Sequence, residues 1–254
     1  LRRRLLESED SPSFFWRIDF ADVFQDRGGF DVVIGNPPYV RIQALKRELP
    51  EAVDLLKKWY DAAGRGNYDI YVVFVELGLS LLRREGHLAY ILPHKFFNAQ
   101  YGEPLRRILA EGKHLQHVVH FGDQQVFSGA TNYVCLLFLK AEGTDGCKWE
   151  RVTDSVDWLE TFTGRSRVVK ATLFGTAEWN FPVGPSSRYF DELKSISSKL
   201  RDFTKGISQG IRTSANDVYV LEGIESEGNH LRAFSESLSS EVLVEKKFVY
   251  PFLQ

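Results

Sequence analysis

An apolar run, Phe30-Asp31-Val32-Val33-Ile34-Gly35, is followed at once by Asn36-Pro37-Pro38-Tyr39. A buried strand ending in a primary amide, two imino acids and an aromatic ring suits few chemistries. One is methyl transfer to a flat exocyclic amine whose lone pair is delocalised into its ring. Methylation requires that nitrogen to pyramidalise. Two acceptors around its hydrogens, the Asn36 side-chain oxygen and the Pro37 carbonyl, favour that geometry through hydrogen bonds that strengthen as positive charge develops. The prolines fix φ and bring no competing N–H donors. In that reading the Tyr39 ring would stack on the flat group that bears the amine, and the motif on its own does not choose a substrate. No general base is obligatory, because the methylated ammonium is itself a strong acid. The bland alternative is a Pro-Pro turn in which Asn36 caps and Tyr39 packs. The preceding apolar run favours the catalytic reading.

Such a tetrapeptide must be held by a sheet. Pro37 and Pro38 forbid continuation of a ladder, so the chain leaves the strand at its C-terminal edge. In an open parallel sheet that edge is where ligands bind. Residues 14–20, rich in aromatics, read as a strand or strand end, and Asp26-Arg27-Gly28-Gly29 as a turn. Helices are predicted over 51–61, over 69–84 with Ile70, Phe74, Leu77 and Leu81 on one face, and over 105–110. Strands are predicted over 87–92, 117–121 and 133–140. The alternation argues α/β with a mainly parallel sheet, closed by an antiparallel edge through Gly129-Ala130 into Tyr133–Lys140. After about residue 141 Gly, Thr, Asp and Ser become frequent. A helix is expected over 188–200 and short strands over 218–221 and 242–250. The predicted organisation is 1–150 as one unit and 151–254 as the start of a second, mixed α+β unit.

The totals bound the function. The chain has 254 residues, 43% apolar and 13% aromatic, enough for a substantial core. A net charge of −2 and a pI near 6.4 leave a nucleic-acid partner to local clusters: Arg106-Arg107, Lys113-His114, Arg165 with Arg167 and Lys170, and Lys246-Lys247. Cys135 and Cys147 have neither metal-ligand nor redox spacing, which fits a reducing cytoplasm, and Cys135 reads as core. No apolar run reaches the length of a membrane span. The sequence begins at Leu1 and contains no Met, so it is expected to start after the point where translation began.

The order of segments adds a resemblance. Ile18-Asp19-Phe20, Asn36-Pro37-Pro38-Tyr39-Val40-Arg41, Asp69-Ile70-Tyr71-Val72-Val73-Phe74-Val75-Glu76 and Gly86–Pro93 resemble successive motifs of the γ-order adenine-specific DNA methyltransferases of restriction–modification systems, the TaqI-like and Type IIG enzymes. Arg106, Phe121-Gly122 and Val126-Phe127 continue it, so it spans about residues 14–140. Gly206-Ile207, Gly210-Ile211-Arg212-Thr213 and Pro251-Phe252-Leu253 resemble, less specifically, parts of that family's recognition domain. The resemblance implies part of a Rossmann-like sheet dependent on S-adenosylmethionine, double-stranded DNA as partner, and a fused or partner endonuclease. It implies that Asn36, Pro37 and Tyr39 hold the target adenine. Asp19 would accept from the amine of the cofactor's adenine, with Phe20, Pro38 and Phe74 lining that ring; core packing is the rival role for Phe74. A second aromatic closing on the flipped base would be Tyr101, with Phe96 and Phe97 as rivals, although a gap-free alignment brings Gly102 there. The family's Gly-rich turn and ribose-binding acid should precede Asp19, and this sequence has neither. An internal fragment, inactive alone, is therefore expected. Two alternatives stay open: methylation of a protein glutamine or an RNA amine, and a non-catalytic DNA-binding specificity module.

Overall fold

A computed structural model describes residues 14–124, 126, 133–184, 187–196, 198, 200–206 and 216–250. Gly129-Ala130, Phe127, Ile207, Gly210–Thr213 and Pro251–Leu253, singled out above, lie outside the described residues. The chain divides into two compact units, Leu1–Ser195 and Ile196–Gln254.

Among the described residues the first unit opens with two short helices, α1 (Trp16–Asp19) and α2 (Ala21–Arg27), where a strand or strand end was expected. Asp19 decides the difference: its Oδ2 accepts from the Phe15 N–H at 2.6 Å, a local bond that closes the first helical turn. Strand β1 (Phe30–Gly35) follows, then α3 (Ile42–Glu48) and α4 (Pro50–Trp59). Helix α5 (Tyr71–Leu81) stops before Arg83-Arg84, because Leu82 turns extended (φ −76°, ψ 146°) and opens β2 (Leu82–Pro93). Arg83 then pairs with Asp31 of β1 at 2.6 Å instead of capping a helix. Helix α6 (Glu103–Glu111), β3 (Leu115–His120), β4 (Val134–Lys140), β5 (Gly146–Arg151), α7 (Ser155–Thr161), β6 (Arg165–Lys170) and α8 (Ser187–Ser195) complete the unit.

Among the described residues the strands of this unit order as β1-β2-β4-β3-β5-β6. Strands β1, β2, β3 and β5 run one way, and β4 and β6 run against them, so the sheet is mixed rather than mainly parallel. The antiparallel strand predicted for an edge lies inside, between β2 and β3. Among the described residues β1 is one edge and β6 the other, and β1 is not buried: Val32 is 57% and Ile34 80% exposed, since β2 alone pairs with it there. Its approach to β2 demands glycine. A Cβ on Gly29 (φ 145°) or on Gly86 would lie 2.7 Å from the opposing backbone.

The polar stretch after 141 marks turns rather than a new domain. Strands β5 and β6 extend the same sheet, and Trp149, Trp179, Phe174 and Val169 join the core that holds Leu88, Leu92, Leu137 and Cys135. The expected division at 150 therefore moves to Ser195. Buried Glu150 in β5 ties this region together, accepting from Trp158 Nε1 at 2.8 Å and facing Lys148 Nζ at 2.7 Å and His117 Nε2 at 3.0 Å. Among its described residues the second unit shows the short helices Leu200–Phe203 and Asn216–Tyr219, the latter where a strand was expected. Its antiparallel sheet is formed by β7 (Leu221–Glu227), β8 (His230–Ser235) and β9 (Ser240–Glu245).

Candidate active site

Because β1 and β2 are parallel with Gly35 opposite Tyr90, Asn36 emerges where β2 runs on towards Pro93. His94 follows β2 and His120 ends β3 at that same sheet edge. A largely apolar cleft of about 490 Å³ opens along β1. Asn36, Pro37 and Pro38 line it together with Phe74, Trp16 and Tyr90. Asn36 is exposed and Pro37 buried, so the amide stands free at the cleft while its neighbour is anchored.

Tyr39 is half-buried beside that group. Its hydroxyl donates to the Ile91 carbonyl of β2 at 3.1 Å, and its ring meets Tyr71 edge-on, centroids 6.5 Å apart at 83°. Burial, with a smaller contribution from Cys135, pushes its phenol up to about 12, so it remains a neutral donor. The chain after it is clamped to the start of α5: Ile70 N–H donates to Val40 O at 2.8 Å and Ile42 N–H to Tyr68 O at 2.9 Å, while Arg41 and Asp69 form a bridge.

The other predicted residues divide. Phe74 reaches the cleft and also packs against the core, so both roles foreseen for it coincide. Phe20 stacks on Trp16 at 6.0 Å and meets Phe30 at 5.1 Å, behind the two rings that line the cleft. Asp19 is exposed, is not among the lining residues, and is engaged with Phe15. Phe96 and Phe97 are 0% and 1% exposed and pack on Trp179 and Trp149. Tyr101 is partly buried, its hydroxyl 3.1 Å from Asp69 Oδ2 and 2.9 Å from the Tyr71 hydroxyl. Any side chain at Gly102 would collide with the Phe96 carbonyl. Arg106, offered above as a surface cation, is 3% exposed and donates to the carbonyls of Phe96, Ala99 and Thr176 at 2.6, 2.8 and 2.9 Å. Sequence reasoning missed Trp16 and Tyr90 as cleft walls and Tyr71 as the ring behind Tyr39. The helical spacing of Tyr71 with Phe74 was a visible signal for the last.

Residues 3–127 match the family described as Eco57I restriction-modification methylase. Over 231 residues the chain is 31% identical to the type II restriction enzyme and methyltransferase RM.Eco57I of Escherichia coli, a similarity covering 89% of this chain and 22% of that protein. It is 36% identical over 118 residues to the type II methyltransferase M.PaeR7I of Pseudomonas aeruginosa, covering 46% of this chain and 20% of that protein. The chain thus spans about a fifth of the length of these two relatives. Among solved structures, the DrdV–DNA complex aligns with a TM-score of 0.49 at 16% identity, over 73% of this chain and 22% of that one. The type IIG restriction endonuclease BpuSI aligns with a TM-score of 0.43 at 17% identity, over 59% of this chain and 21% of that one. With Asn36-Pro37-Pro38-Tyr39 at the end of β1 and the family match running through it, residues 3–127 belong to the Eco57I-type restriction-modification methylases.

Proposed function

We propose that this chain carries the base-holding half of a site-specific DNA methyltransferase that modifies the exocyclic amine of a flipped adenine. The observation that carries the reading is the pairing of an exposed Asn36 amide with a Tyr39 ring tethered to Ile91 and backed by Tyr71. Asn36 and the Pro37 carbonyl accept from the amine as its nitrogen becomes tetrahedral, and Tyr39 stacks on the base. The methyl donor is S-adenosylmethionine, which supplies an electrophilic carbon on a positively charged sulfur. The apolar cleft walls, Pro38 and Phe74 with Trp16, suit its flat adenine ring. Asp19 holds the Phe15 N–H through Oδ2 and stands outside the cleft lining, so any contact with that ring would fall to its other oxygen. The sequence has no Gly-rich turn before Asp19, so the chain alone is expected to transfer little.

Target recognition is assigned to residues 196–254, beyond the sheet that bears the site. RM.Eco57I is named as both restriction enzyme and methyltransferase, and a linked endonuclease is proposed here by that analogy. The test incubates the natural protein and its Asn36→Ala variant with labelled S-adenosylmethionine and unmethylated bacterial DNA, followed by digestion to nucleosides. Label in 6-methyladenine is expected from wild type, with a loss of at least about a hundredfold in the variant. Label in protein or RNA instead would overturn the reading. Tight DNA binding with no transfer would favour a specificity module.

A further inference from the structure

Tyr101, the residue expected to close on the flipped base, has its hydroxyl already committed. Asp69 is a carboxylate and only accepts, so the Tyr101 proton points to Asp69 Oδ2 at 3.1 Å. The remaining contact, 2.9 Å between the Tyr101 and Tyr71 hydroxyls, must then run the other way, with Tyr71 donating. Tyr71 is 0% exposed, and its ring touches Tyr39 on one side and Phe96 on another. The far end of the chain of bonds is fixed as well. Asp69 lies in the clamp that pairs 40–42 with 68–70, directly after Tyr39. The segment bearing Tyr101 is pinned by Arg106 through the Phe96 and Ala99 carbonyls.

We propose that Tyr101 is a positioning residue: the relay Tyr71–Tyr101–Asp69 locks the Tyr71 ring, and that ring sets the tilt at which Tyr39 receives the target base. The inference rests on the functional reading above, in which Tyr39 meets the base. Removing one hydroxyl from the relay leaves every ring in place but frees Tyr71 to rock, which loosens the platform rather than deleting it. A ring that itself stacked on the base would tolerate loss of its hydroxyl. A ring that acts through the relay would not.

The experiment uses the natural protein with a DNA duplex carrying 2-aminopurine at the target position, and measures its fluorescence on binding together with kcat and KM for unmodified DNA. Tyr101→Phe is expected to lower the fluorescence change and to reduce kcat/KM about fivefold, the effect of one lost hydrogen bond. Asp69→Ala should do the same, and the Tyr101→Phe/Asp69→Ala double variant should be no worse than either single one, because both break one relay. Asp69→Asn, which keeps an acceptor oxygen, should restore most of the signal. Wild-type fluorescence and kcat/KM in a folded Tyr101→Phe protein would overturn the proposal, as would full additivity in the double variant. If Tyr101→Phe melts early, Tyr71→Phe replaces it, with the same two outcomes. Failure of wild type to methylate adenine would sink the functional reading instead, and is seen separately.

Discussion

The Tyr39 hydroxyl donates to Ile91, while the proposed contact with the base uses the face of the ring, so the two can be tested apart. Removing them separately should separate the effects. Tyr39→Phe loses one hydrogen bond and leaves the Ile91 carbonyl short of a donor, at about 1 kcal/mol of stability, while methylation stays within about fivefold of wild type. Tyr39→Ala removes the platform, and base–aromatic stacking contributes about 1–3 kcal/mol, so DNA carrying an extrahelical target should bind roughly tenfold more weakly or worse. Urea titration reads the first loss and a DNA-binding titration the second. Equal binding by the Ala variant would remove Tyr39 from the site. The roles proposed for these residues could be drawn from sequence because amide, imino acids and ring sit on four consecutive positions. Tyr71 and Asp69 were legible only as parts of a motif, since their bonds to Tyr101 cross 30 and 32 positions.

At the scale of elements, the strand ends bring together groups that the linear order separates. His94 after β2 and His120 at the end of β3 stack with centroids 4.1 Å apart at 29°, and the Gly122 N–H donates to His120 Nδ1 at 2.8 Å. Burial, then the neighbouring His94 and Arg151, drives the His120 imidazole down to about 3. His94 and His117 are also lowered, in each case chiefly by burial. The folded pKa values lie below the unfolded value near 6.5, so the unfolded chain takes up protons first. Stability is therefore full above that pH and falls as acid is added. His120 alone should account for about 2 kcal/mol lost by pH 5. Melting curves at pH 7, 6 and 5 should show the drop. His120→Asn, whose amide oxygen can accept from Gly122, should flatten it, and an unchanged slope would refute the assignment. Helix α5 and strands β2 and β4 followed from periodicity and apolar runs. The 14–20 segment did not, because a local bond from Asp19 to Phe15 outweighed the strand preference of its aromatics.

Across the whole molecule, the first compact unit continues through β5, α7, β6 and α8 to Ser195. Cutting at 150 would part Glu150 from Trp158 and strip β6 from β5, whereas the division at 195 crosses between units. Limited proteolysis of the natural protein, read by mass spectrometry, is therefore expected to yield fragments bounded near residue 195. Early fragments ending near 150 would restore the shorter catalytic unit. The loop-rich composition after 141 pointed to a boundary because Gly, Thr and Ser are abundant in linkers and in tight strand connections alike. Composition does not distinguish the two.

The sequence by itself determined the strand that presents Asn36–Tyr39 and the α/β alternation, because each depends on neighbouring residues and their period; the chemistry proposed for those four residues drew on their adjacency alone. Only the tertiary structure decided that β1 is an exposed edge, that β4 runs antiparallel inside the sheet, and that Arg106 and the Tyr101 hydroxyl are engaged inward. The reason is physical: strand order, burial and hydrogen-bond partners are set by which distant segments share a core, and a partner dozens of residues away leaves no local periodicity to read.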